Sequence, residues 1–177
     1  ELFYNCLKFN GTLLGRWDSL KKIPANRLFY NCKAFNQSIE NLKTDKITRM
    51  EQMFYGCHAF NQDVSHLNTA SCTNFKFMFA STKAFNQPID SFEFTEVEDW
   101  NGGPAINPDV YGMFQYAEAF NQQLTNDMSF VISADRMLYN CTKYDKDLSG
   151  ICFKLVPSMP SGFCTGTAIE NKPEFHP

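Results

Sequence analysis

Apolar and small residues recur along this chain in steps of three. Ile47, Met50, Met53, Phe54, Cys57 and Phe60 form one series, and Cys72, Phe75, Met78, Phe79, Thr82 and Phe85 repeat it. Such steps mark the buried stripe of a helix, so each series predicts a helix of about three turns. Thr44 and Asp45 stand where an N-cap is expected, and Glu51 lies in the first turns, where the helix dipole favours acid. Beyond each series comes an alternating stretch, Ser38-Ile39-Glu40-Asn41-Leu42 or Asp63-Val64-Ser65-His66-Leu67, which predicts a short strand.

These elements belong to a repeat. Phe-Asn-Gln occurs at Phe35, Phe60, Phe85 and Phe120, with weaker copies at Phe9-Asn10-Gly11 and Tyr144-Asp145-Lys146. The aromatics are 26, 25, 25, 35 and 24 residues apart. Upstream of each lies a second pair: Leu2-Phe3, Leu28-Phe29, Met53-Phe54, Met78-Phe79, Met113-Phe114 and Met137-Leu138. A degenerate copy begins at Phe163-Cys164. The units run near 2–27, 28–52, 53–77, 78–112 (with an insertion at 98–111), 113–136 and 137–162, followed by a cap at 163–177 in which prolines crowd. One such unit cannot bury its own stripe, so neighbours must stack. The expectation is a single α/β repeat solenoid, with short parallel strands on one face and short helices on the other. The chain opens in mid-pattern at Glu1-Leu2-Phe3, which reads as a piece of a longer protein.

Composition narrows the function. The chain has 177 residues and a formal net charge of −3, which argues against nucleic-acid binding. No apolar run of the length needed to span a bilayer is present, so no direct membrane insertion is expected. Phenylalanine accounts for 18 residues, and ten of them fall into two columns of the repeat.

The motif Met-Phe-x-x-Cys-x-x-Phe-Asn-Gln-x-Ile, best seen from Met53 to Val64 and from Met78 to Ile89, resembles the BspA-like leucine-rich repeat family. The resemblance covers roughly residues 2–170. That family often carries Trp-Asp after the strand; Trp17-Asp18 matches, whereas Leu42, Leu67 and Phe92 depart. The family occurs in bacterial surface proteins, some protist surface proteins and some phage-encoded proteins. The resemblance implies a leucine-rich-repeat fold and a surface-exposed adhesion or recognition role without catalysis.

Seven cysteines raise the question of disulfides or metal. Cys6, Cys32, Cys57 and Cys141 share one column with Thr82, Ala117 and Thr167, which is what a small buried side chain produces. They read as free thiols, with a bridge between neighbours such as Cys32 and Cys57 as the alternative; no metal and no cofactor are expected. The recurring asparagines, Asn36, Asn61, Asn86 and Asn121 after Asn10, read as a structural ladder bonding backbone unit after unit. The sequons at Asn10, Asn36 and Asn140 read as accidental, two of them on buried ladder positions. His58, His66 and His176 lack any nucleophile or carboxylate partner at a meaningful spacing, and no catalytic motif occurs.

Two regions are candidates for binding. One is the insertion, with Trp100, Asn101, Pro104 and Asn107, since insertions in repeats map to loops on one face and Trp is a hot-spot residue; the alternative is a plain surface loop. The other is the outward set after Asn-Gln, including Glu40, Asp63 and Ser65, for which plain solvation is the alternative. The expected function is non-catalytic recognition, with a protein or glycan on another surface as partner, at a cell surface or outside the cell, or on a virion. A structural or decoration subunit binding sister subunits is the rival, and an enzyme with the insertion as lid is the weakest reading.

Overall fold

The structure, a computed structural model, describes residues 2–13, 25–99 and 101–169. Among these residues there is no helix, and strand pairing is confined to isolated bridges. The expected α/β leucine-rich-repeat solenoid of helices and strands is therefore wrong, and the backbone shows why. In the series Met50 to Phe60, the N–H groups of Met53, Tyr55, Cys57 and Phe60 donate to the carbonyls of Met50, Gln52, Phe54 and Cys57, three residues back, at 3.1–3.2 Å. A helix would bond four residues back. The intervening N–H groups of Gln52, Phe54 and Gly56 instead leave the unit and donate to Lys76, Met78 and Ala80 of the next one, each at 2.9 Å. The apolar steps of three thus record a train of three-residue turns.

Two left-handed residues per unit enforce this. One stands just before the Leu/Met position: Arg27, Gln52, Phe77, Gly112, Arg136 and Gly162. The other stands three residues after it: Asn5, Asn31, Gly56, Ser81, Tyr116, Asn140 and Gly166. Their φ values lie between 54° and 79°, and a right-handed helix cannot pass through such residues.

The expected strands are turns as well. Leu42 donates to Ile39 at 2.8 Å, Leu67 to Val64 at 3.0 Å and Phe92 to Ile89 at 2.9 Å, so the outward residues sit at turn corners. Thr44 does not cap a helix: it is buried, and its hydroxyl donates to the Asn68 carbonyl of the next unit at 2.9 Å. Parallel pairing survives as bridges Arg49 to Asn74, Asn74 to Asp109 and Asp109 to Ser133. Each unit is one irregular coil, and the coils stack in register.

Hydrogen bonds between coils run in opposite senses on opposite sides. Around the Leu/Met position each coil donates forward to the next. On the asparagine side it donates backward: Ala59 to Lys33 and Ala84 to His58, both at 3.1 Å, and Asn61 N–H to Asn36 Oδ1 at 2.9 Å.

The core is two columns of rings. Phe3, Phe29, Phe54, Phe79 and Phe114 stack at 5.3–5.6 Å. Phe9, Phe35, Phe60, Phe85, Phe120 and Tyr144 stack at 5.6–6.1 Å. Within a coil the two columns touch, with Phe54 and Phe60 at 4.3 Å and Phe114 and Phe120 at 4.0 Å. Each fully buried ring contributes about 1.5–3 kcal/mol, and each pair up to about 1.5 kcal/mol more. The insertion is pinned at its base, where Val97 and Ile106 exchange antiparallel hydrogen bonds at 2.8 and 2.9 Å.

Candidate functional site

The turns that carry the forward ladder point alternate side chains outward, and these collect the tyrosines. The chain has seven tyrosines. Tyr144 lies in the core column; Tyr4, Tyr30, Tyr55, Tyr111, Tyr116 and Tyr139 all sit half-buried or exposed on this one face. Tyr4, Tyr30 and Tyr55 form a stack with both steps at 4.9 Å and interplanar angles of 13° and 5°. Tyr116 meets Tyr139 edge-on at 5.6 Å, and Phe77 meets Tyr111 edge-on at 5.1 Å. The Arg27 and Arg136 guanidinium carbons each lie 5.9 Å from a ring centroid, those of Tyr30 and Tyr139. Arg27 Nε donates to Gln52 Oε1 at 2.6 Å, and Asn31 Nδ2 to Asn5 Oδ1 at 3.0 Å. Burial, then the neighbouring Tyr55 and Tyr4, push the Tyr30 phenol above its ordinary pKa, so it stays a neutral donor and acceptor.

Over the first three coils the tyrosines are 4.9 Å apart, the Phe3 column 5.3–5.4 Å and the Phe9 column 5.6–5.9 Å, so the tyrosines are the most tightly spaced of the three rows.

The residues singled out from the sequence lie elsewhere. Trp100 falls outside the described residues. Asn101 and Pro104 are exposed, and Asn101 folds onto Asp99, its backbone N–H 3.0 Å from Oδ1. Asn107 is half-buried, with its side-chain oxygen buried and unpaired. Glu40, Asp63 and Ser65 are exposed. Asp63 accepts the Ser65 N–H at 2.8 Å and its hydroxyl at 3.0 Å, which hold its carboxyl below the usual carboxylate range. These side chains close a turn, and the structure does not bring them together with the insertion residues into one site.

The asparagines form a chain. The N–H groups of Asn36, Asn61, Asn86 and Asn121 each donate to the side-chain oxygen of the preceding asparagine, Asn10, Asn36, Asn61 and Asn86, at 2.8–2.9 Å. Gln62, Gln87 and Gln122 add a donor to the same oxygens at 2.9–3.0 Å. Asn10 is exposed and Asn36 half-buried, so the ladder is less buried than the sequence implied. All seven cysteines are free, and Cys32 and Cys57 are not bridged. Their thiols donate to the Phe3 and Phe29 carbonyls of the preceding coil, each at 2.9 Å. Burial pushes Cys32 up to about 11 and Cys57 further, so both stay protonated. His66 Nε2 lies 2.9 Å from the Ile39 carbonyl, whereas His58 is flanked by Lys33 and Lys83 on the adjoining coils; burial and those two cations lower its pKa. Among the described residues, no group of His, Cys, Asp and Glu is placed to hold a metal ion, and no helix is long and apolar enough to cross a membrane.

Two stretches, residues 1–106 and 99–175, match the family described as Mycoplasma protein of unknown function, DUF285. The chain belongs to the DUF285 family. The two matches overlap at residues 99–106, within the insertion. No curated protein and no solved structure matches the chain.

In this DUF285 chain the tyrosine face did not emerge from the sequence, because the helix reading drew attention only to the apolar stripe. A signal was present. Tyr4, Tyr30, Tyr55 and Tyr139 share one column, two residues after the Leu/Met position, beside the asparagine and glycine column of Asn5, Asn31, Gly56 and Asn140.

Proposed function

We propose that this chain is a non-catalytic recognition module that engages a protein or glycan on another surface through its tyrosine face, and that it is displayed at a cell surface or outside the cell. The observation that carries this reading is the gathering of every tyrosine outside the core along the turns of the forward ladder, with Arg27 and Arg136 against two of them. Tyrosine and arginine supply large contact area and hydrogen bonding at low entropic cost, and they dominate binding hot spots. The side chains that could carry acid–base chemistry are dispersed, and the thiols of Cys32, Cys57 and Cys141 are capped by carbonyls. The repeat motif also supports a relation to the BspA-like repeats of surface proteins, here carried by turn-built coils.

The test is capture. The immobilised chain is challenged with surface extracts and with whole cells, alongside a Tyr30→Ala/Tyr139→Ala double variant whose fold is checked by thermal melting. Loss of capture in the folded double variant supports the tyrosine face. Capture unchanged in that variant sinks it.

A subunit of a larger assembly is the second reading. It is favoured by exposed Ile106, Ile132, Leu155 and Met159, of which Ile132 and Met159 line a cleft of about 370 Å³ between the last two coils. Sedimentation as a monomer at high concentration counts against it; self-association weakened by Ile132→Ser supports it.

A further inference from the structure

Tyr4, Tyr30 and Tyr55 cover one another's faces. What they offer outward is therefore a row of phenol hydroxyls and ring edges, one per coil, each able to give and to take a hydrogen bond. Beside the row run Asn5 and Asn31, linked amide to amide, and Arg27 with Gln52. None of these residues is acidic. The stack ends sharply: the next position in the tyrosine column is buried Ala80, so no aromatic ring among the described residues covers the far face of Tyr55.

Resting on the recognition reading, we infer that this row holds an extended β-linked glycan running along the stack, one sugar to each coil. The 4.9 Å step between tyrosines is close to the advance per sugar of an extended β-1,4-linked chain. Successive sugars in such a chain are flipped, so each alternately presents a different hydroxyl edge. A phenol meets either edge, because it can both donate to and accept from a sugar hydroxyl. A protein strand fits less well, since its same-face side chains recur at twice the rise of about 3.3 Å. The positive charge of Arg27 discriminates against glycans bearing free ammonium groups.

Calorimetric titration of the chain with β-1,4 oligomers of glucose and of N-acetylglucosamine, from monosaccharide to hexasaccharide, reads this register directly. Affinity is expected to climb with each added sugar until the row is filled and then level off. The two series show whether hydroxyls alone or acetamido groups are preferred, and glucosamine oligomers should bind more weakly than their acetylated counterparts. Tyr30→Phe keeps the stack and removes one hydroxyl, so it should lower affinity roughly two- to ten-fold; Tyr55→Phe should do the same at the next coil. An affinity that does not change with length, tighter binding of the ammonium series, or no binding by any oligomer overturns the glycan. Surface capture that needs the tyrosine face yet survives glycosidase treatment of the target, with no oligomer bound, also overturns the glycan while leaving the recognition reading standing.

Discussion

A single amide oxygen at the asparagine position serves two donors on the following coil. Asn61 Oδ1 takes the Asn86 N–H and the Gln87 side chain, both at 2.9 Å. Asn61→Ala leaves the Asn86 N–H unmet, while Gln87 keeps the Asn61 carbonyl at 3.2 Å, and should cost about 0.5–1.5 kcal/mol in urea unfolding. Asn61→Asp keeps the acceptor and should cost clearly less. A close contact makes a second residue-scale prediction. Gly112 has φ +58°, and an added Cβ would lie 2.6 Å from the Phe77 ring. Gly112→Ala should destabilise by about 1–3 kcal/mol, chiefly through that contact, since the same column elsewhere takes Arg27, Gln52 and Arg136 at similar φ.

At the scale of the element, three-residue turns replace the expected helix, and far-UV circular dichroism should accordingly lack the helical double minimum. A helical spectrum in the folded protein would contradict the structure. The insertion should be dispensable for stacking. Deleting residues 97–106 restores the 25-residue period between Met78 and Met113 and should change stability by no more than about 1 kcal/mol, since loop length carries a small entropic term; a larger loss, read by urea unfolding, would show that the insertion braces the stack. The repeat, its two phenylalanine columns and the cysteine and asparagine columns were legible in the sequence, because burial and side-chain bonding write directly into residue type. The turns were not. Apolar steps such as Met50, Met53, Cys57 and Phe60 fit a helix nearly as well as a period of three when the series is so short. The contrary signal lay in the column Asn5, Asn31, Gly56, Asn140 and Gly166, where residues that accept left-handed backbone recur once per unit. The site was hidden for the same reason, since its tyrosines gather only once that column has turned the chain.

At the scale of the whole molecule, four buried cysteines, Cys32, Cys57, Cys72 and Cys141, behave as one pH-sensitive set. Burial raises the thiol of Cys32 to about 11 and those of Cys72 and Cys141 to about 12. In the unfolded chain they titrate at about 8.5. The folded state therefore holds more protons above that value, and the stability linked to them is complete at neutral pH and lost as pH rises toward 12. The urea midpoint should fall progressively from about pH 8.5 upward. In the folded protein at neutral pH only Cys6 and Cys152 should react promptly with a thiol reagent, because the other five are buried. The opposed hydrogen bonds on the two sides of the stack have a consequence for growth. A helix aligns all its peptide dipoles and gathers partial charge at its ends. Here the four forward bonds around the Leu/Met position, from Met50, Gln52, Phe54 and Gly56, are offset only in part by the backward bonds of Ala59 and Asn61, so each coil keeps one polarity along the axis. Duplicating or losing a 25-residue unit adds or removes the same set of bonds, so the array can change length while each end keeps the same polarity.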